Sequence, residues 1–141
     1  MSAFYPTLVI GIGGTGKSAL LDVRQRLVAR FGSYKDLKTI AFLALDTDDA
    51  LDEESIAKDP LSEALAFSAS EHLHLTVSEN KMADIRANLA THHQALAKWL
   101  DKEALIHPSV VAGAGQIRQI GRLALLSNID KVLPAVNDAL T

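Results

Sequence analysis

The sequence predicts an α/β fold, a Rossmann-like doubly wound parallel sheet of about three strands with flanking helices, and three observations carry that expectation. Two continuous apolar runs, TLVIGI (Thr7 to Ile12) and KTIAFLAL (Lys38 to Leu45), have strand length and the unbroken hydrophobicity of strands covered on both faces. Between them, apolar residues recur at helical spacing from Gly16 to Phe31. The first run also closes on a glycine cluster that turns straight into that helix, as βαβ units do.

Within the helix, Leu20, Val23, Leu27 and Phe31 form the expected apolar stripe, Arg24, Gln25, Arg26 and Arg30 fall largely elsewhere, and Gly32 supplies the stop. The second strand ends on the acidic residues Asp46, Asp48 and Asp49. Leu51 to Ser70 is polar and reads as irregular with one or two short helical turns, interrupted at Pro60. EHLHLTV (Glu71 to Val77) alternates, which predicts a third, more exposed strand at a sheet edge. Met82 to Leu105 reads as one long helical stretch with Ile85, Leu89, Leu96, Trp99 and Leu100 on its apolar stripe and Pro108 ending it. VVAGAGQIRQIGR (Val110 to Arg122) is a second glycine loop, followed by a helical segment through Leu140 that Pro134 kinks or divides. No internal repeat or low-complexity tract is present.

The 141 residues match one domain, 1–141, and 48% hydrophobic with 22% charged residues suffices for a single core, against fibrous or disordered classes. A net charge of −3 and a pI near 5.9 give no basic footprint, so no nucleic-acid partner is expected. The absence of cysteine removes disulfide scaffolds, thiolate metal sites and cysteine nucleophiles. The start MSAFYPTLVIG lacks the pattern of a secretory leader, and the apolar run IAFLAL is far short of the roughly 20 residues of a membrane helix. The expectation is a cytoplasmic protein without a membrane partner.

Chemistry concentrates in LVIGIGGTGKSALL, Leu8 to Leu21. A strand that stops at glycines and turns into a helix aims backbone N–H groups and the positive end of the helix dipole at one point, and phosphate is the natural occupant. Gly11, Gly13 and Gly16 fit the dinucleotide pattern GxGxxG, but Asp46 lies well beyond the about 20 residues at which that pattern expects a ribose-binding acid, and Lys17 has no task in it. Gly11, Gly16, Lys17 and Ser18 fit GxxxxGK[ST], in which the lysine would reach the β and γ phosphates and the serine Mg²⁺. In that form GGTGKS followed by FLALDTD resembles the deviant P-loop ATPases of the partition and division-site family, with Ile12 where that family has its signature lysine.

Two further segments favour a third reading. FLALDTDDAL (Phe42 to Leu51) looks like the second nucleotide loop of the FtsZ/tubulin family, FIAVNTDAQAL, with Asp46 in place of asparagine. GAGQIRQIGR (Gly113 to Arg122) looks like its third loop, GAGANPEVGK, and LVIGIGGTGKSA overlays its first, VIGVGGGGGNA, with Lys17 and Ser18 where that family has glycine and asparagine. A bacterial group of tubulin-like proteins, with GGTGK, LDTD and GAGQIRxxGR loops, is similar over most of the chain, and the stretch 82–105 looks like its helical insertion.

The resemblance implies a nucleotide site with GTP or GDP and Mg²⁺ as cofactors. Gly11, Gly13, Gly14, Thr15, Gly16, Lys17 and Ser18 would wrap the phosphates, Asp46, Thr47 and Asp48 in the loop 46–49 would line the second side, and Gly113, Ala114 and Gly115 would approach the γ-phosphate end. Lys17 and Arg122 would add positive charge, as a point charge and a planar fork. It also implies an incomplete N-terminal half of the family's GTPase domain: strands in the order 3-2-1, the first strand's outer edge open, and self-association or the remainder of the domain as its partner. Efficient hydrolysis by this segment alone is not expected, and no catalytic or protein-held metal residue is assigned. Two other readings stand beside it, the P-loop ATPase and a non-enzymatic scaffold fragment that binds a partner through the first-strand edge.

Other residue types that suggest chemistry have plainer readings. His72 and His74 share a strand face without a third metal ligand nearby, and His92 and His93 are expected in solvent. Trp99 reads as core rather than as a base-stacking platform. Ser70, Glu71 and His72 lack the context of a nucleophile elbow.

Overall fold

The computed structural model describes residues 5–32, 39–48, 66–106 and 117–141. They divide into two units: residues 1–74 with 131–141, and residues 75–130.

The first unit contains a parallel sheet. β1 (Thr7–Ile12) runs into α1 (Gly13–Phe31), and β2 (Ile40–Asp46) follows. β1 pairs with β2 in register from Thr7↔Ile40 to Ile12↔Leu45, and a short β3 (His72–His74) pairs with Ala44 to Asp46 on the other side. The order β1-β2-β3 is the expected 3-2-1, with no strand on the outer edge of β1 among the described residues. β2 is the central strand, and Phe42 through Asp46 are all buried, which is why its run is apolar on both faces. Phe42 and Ala44 pack with Leu20 of α1, surrounded by Val9, Leu27, Val28, Ile40 and Phe67. α1 ends at Gly32 as expected, the Gly32 N–H closing on the Val28 carbonyl at 2.8 Å.

The buried face of α1 differs from the expected stripe. Val23 and Phe31 are exposed, whereas Lys17, Leu20 and Arg24 are buried. The buried line runs at the i, i+3, i+7 spacing of one helix face, so a cation stands where hydrophobicity alone placed Val23. Arg24 is tolerated there because both terminal nitrogens and the guanidinium faces have partners. Nη1 donates to the Ala66 carbonyl at 3.0 Å, Nη2 pairs with Glu71 Oε1, and the guanidinium lies 4.8 Å and 4.3 Å from the ring centroids of Phe42 and Phe67.

Glu71 completes this clasp by accepting the Ser68 N–H at 2.8 Å and the Ser68 hydroxyl at 2.9 Å. Burial pushes its carboxyl up, but the Ser68 and Arg24 interactions together bring it below its ordinary value. A carboxyl depressed in the folded state contributes stability that is complete above its unfolded pKa, about 4.3, and is lost as pH falls through the lower folded value. Denaturant melts of wild type and Glu71→Gln should therefore differ most above the unfolded carboxyl value and converge as pH falls below it. A gap that stays constant as the pH is lowered contradicts the assignment.

The second unit is helical: α2 (Glu79–Asn88), a single turn α3 (Gln94–Ala97), a 3-10 turn at Ala104–Ile106, and α4 (Arg118–Ser127). Met82, Ile85, Leu89, Leu100, Leu105, Ile120 and Leu123 are buried. The one long helix expected from Met82 to Leu105 is thus interrupted after Asn88. There the N–H groups of Thr91, His92 and His93 all turn back to the Asn88 carbonyl, where Thr91, His92 and His93 are weaker helix formers than the Leu89 and Ala90 before them. The reversal brings His93 Nε2 to 2.8 Å from Asp84 Oδ2, so His93 is paired rather than simply solvated. Asn128 ends α4, its Nδ2 donating to the Ala124 and Thr76 carbonyls at 2.8 Å each. α5 (Ile129–Leu140) then carries Pro134 inside it, so the division expected at the proline falls at Asn128 instead.

β3 is shorter than the expected strand over Glu71 to Val77, although it does lie at a sheet edge. Expectations for Lys38, Asp49, the segment 51–65, Pro108 and the residues from Val110 to Gln116 lie outside the described residues.

Candidate functional site

β1 passes into α1 without an intervening loop, and two backbone requirements explain three of the four glycines at this junction. Gly13 turns the chain at φ +71°, a conformation that costs glycine least. Gly11 and Gly16 press against each other. A Cβ on Gly11 would lie 2.5 Å from the Gly16 carbonyl oxygen and 2.8 Å from Leu20 Cδ1, and one on Gly16 would lie 2.9 Å from the Gly11 carbonyl carbon. This contact pins the first turn of the helix to the end of the strand. Gly14 differs, because a Cβ there would meet nothing within 4 Å and its φ is not in the left-handed region.

Residues 13–18 therefore form the opening turns of α1. The GxxxxGK[ST] reading places a loop there between strand and helix, so the sequence pattern is matched without that loop. The helix cap is Ile12, which offers no side-chain acceptor, and the first turn carries no acidic residue. The leading N–H groups of a helix lack intrahelical acceptors, and with the positive end of the dipole they favour an anion. Thr15 is exposed in this turn, and Ser18 Oγ donates back to the Gly14 carbonyl at 3.0 Å.

Lys17 and Asp46 meet at this end of the sheet. Register places Leu45 beside Ile12, so Asp46 emerges level with the start of α1. Lys17 Nζ lies 3.7 Å from Asp46 Oδ2, both side chains being about 7% exposed. Asp46 Oδ1 accepts the N–H groups of Thr47 at 2.7 Å and Asp48 at 3.2 Å, which folds the chain leaving β2. His74 Nε2 lies 3.1 Å from the Thr47 carbonyl oxygen, so this strand face is half-buried rather than exposed. Sequence reasoning named both Lys17 and Asp46 but did not foresee that they pair.

Of the predicted site residues, the structure thus gathers Gly11, Gly13, Gly14, Thr15, Gly16, Lys17 and Ser18 at the carboxyl end of β1, and Asp46, Thr47 and Asp48 at that of β2. In open α/β sheets, ligands bind in the crevice outside the carboxyl ends of the strands. Gly113, Ala114 and Gly115 lie outside the described residues. Arg122 belongs to the helical unit, where its guanidinium stacks on the half-buried Trp99 at 4.3 Å, while Gln119 and Asp101 exchange two hydrogen bonds of 3.0 Å and 2.9 Å. The stretch that resembles an insertion is therefore joined to the start of α4.

No group of three or more His, Cys, Asp or Glu residues that could hold a metal occurs among the described residues, and no helix there is long and apolar enough to cross a membrane. A family model described as tubulin-like matches residues 8–141. No curated protein and no solved structure matches the chain.

Proposed function

Because this chain belongs to the tubulin-like family, we propose that it binds a nucleoside triphosphate, GTP, at the carboxyl ends of β1 and β2. Residues Gly11 to Ser18 would receive the phosphates, and Asp46 to Asp48 would line the opposite side. One observation carries the reading. Gly11, Gly13 and Gly16 are accounted for by the chain's own geometry, whereas Gly14 is not. Glycine is a poorer helix residue than alanine, so a glycine that neither turns the chain nor avoids a clash suits close approach from outside. At an uncapped helix start that visitor is an anion.

Guanine recognition is what the family relationship suggests, whereas the residues themselves support the phosphate end. Mg²⁺ fits this arrangement as a cation held mainly by phosphate oxygens and water with a carboxylate such as Asp48. Association with another copy or with further strands along the outer edge of β1, where no strand lies among the described residues, belongs to the same reading.

Calorimetric titration with GTP, GDP and ATP, each with Mg²⁺, tests the proposal on wild type and Gly14→Ala. The substitution should leave thermal stability unchanged or raise it by up to about 1 kcal/mol. It should also lower GTP affinity at least about tenfold, since the new methyl stands where an oxygen would approach the backbone. Absence of nucleotide binding by wild type, or equal affinity in Gly14→Ala, would overturn it.

A further inference from the structure

We propose that Asp46 sets the ligand affinity of this site by holding Lys17 in reserve, and that an arriving metal-bound polyphosphate takes the ammonium from it. The inference rests on the nucleotide reading above and adds a partner exchange between two named residues. Four features support it.

First, the pair is buried, and burying two charges costs desolvation that their attraction repays only with excellent geometry. At 3.7 Å the contact is longer than the roughly 2.7–2.9 Å of a good charge-assisted hydrogen bond, so stability alone is a poor reason for it. Second, the two oxygens of Asp46 are divided: Oδ1 folds the turn through Thr47 and Asp48, and Oδ2 faces Lys17. The turn can therefore persist when the lysine leaves. Third, Lys17 is the fifth residue of α1, and helical side chains lean toward the N-terminus. Its ammonium is thereby directed toward the end of the helix where an anion is favoured. Fourth, an ammonium carries three donors on a flexible stem and can exchange one acceptor for another, which a planar guanidinium does less readily.

A phosphate chain bears more negative charge than one carboxylate and so outcompetes Asp46 for Lys17. The Asp46 oxygen left behind is buried without its ammonium, and that cost offsets part of the binding free energy, which is how Asp46 lowers the affinity.

The test is a titration of the full chain with Mg·GTP in four forms, wild type, Asp46→Asn, Lys17→Met and the double variant, with a thermal melt of each. Asparagine keeps the Oδ1 acceptor, so only the hold on Lys17 is removed. Asp46→Asn should bind about tenfold more tightly than wild type, and Lys17→Met about tenfold more weakly. The double variant should match Lys17→Met, because Asp46 acts through the lysine. It removes both charges of the pair together, so it remains measurable if a single variant folds poorly.

Weaker binding by Asp46→Asn overturns the proposal, as does equal tightening with and without Lys17, which would mean that Asp46 repels the ligand directly. If wild type and Asp46→Asn bind equally, nucleotide binding stands and the exchange alone fails. If neither binds, the nucleotide reading fails and takes the exchange with it. Binding by Asp46→Asn alone supports both.

Discussion

Gly11→Ala should destabilise the protein by about 3 kcal/mol or more, the upper range for overpacking, because nothing at this position can yield independently. The new methyl would sit 2.5 Å from the Gly16 carbonyl oxygen, 2.7 Å from its carbon and 2.8 Å from Leu20 Cδ1. Leu20 could rotate, but two of the three atoms are backbone. Gly11 is held in the sheet opposite Ala44, and Gly16 is held within α1, so relief requires helix and strand to part. Parting them would also open the cluster of Leu20, Phe42 and Ala44. Chemical denaturation measures the effect directly, and a midpoint equal to that of wild type would show that the junction is not the tight contact described. The contrast with Gly14→Ala, two glycines on, is the useful one. The first glycine serves the fold, and the second is expected to serve the ligand.

Arg24→Ala is the second large effect, expected at about 3–5 kcal/mol, the range for breaking a buried ion pair by removing one partner. The loss has several parts. The Ala66 carbonyl and Glu71 carboxylate each lose a donor, and the space between Phe42 and Phe67 is emptied. Arg24→Met restores most of the volume without the charge, so it should cost less than alanine. Combining Arg24→Met with Glu71→Gln should recover part of the remainder, since no lone carboxylate is then left in the clasp. Equilibrium denaturation of these variants as a double-mutant cycle separates pairing from packing. A strictly additive cycle would mean that Arg24 and Glu71 do not act together.

The first unit was more legible than the second. Both long strands follow from apolar runs bounded by glycines and acids, because a central strand shielded on both faces has little room for polar residues, while the strand order followed from the doubly wound fold that the resemblance implies. The end of α1 at Gly32 was legible for a similarly local reason. The helical unit was less so. A periodic apolar pattern continues across Asn88 to His93, yet hydrogen bonds to one carbonyl reverse the chain there, and apolar spacing does not report such a turn.

The candidate site shows the same division. Its residue types and their order along the chain could be read directly, including the glycine cluster, the lysine that follows it and the acid closing the second strand. Which glycines the fold itself requires could not, because Gly11 and Gly16 are explained only by the distance between two backbones.

The amino-acid sequence by itself determined the parallel α/β core, its family and the position of a glycine-rich strand-to-helix junction, since these depend on local periodicity and on short motifs. Only the tertiary structure decided that α1 buries Lys17 and Arg24 in place of Val23, that these cations meet Asp46 and Glu71, and that Gly14 alone of its cluster is required by neither a turn nor a close contact. Those outcomes depend on partners far apart in the chain, brought together when β1 and β3 align on either side of β2. Their energies are set by burial and distance, which no local pattern of residue types contains.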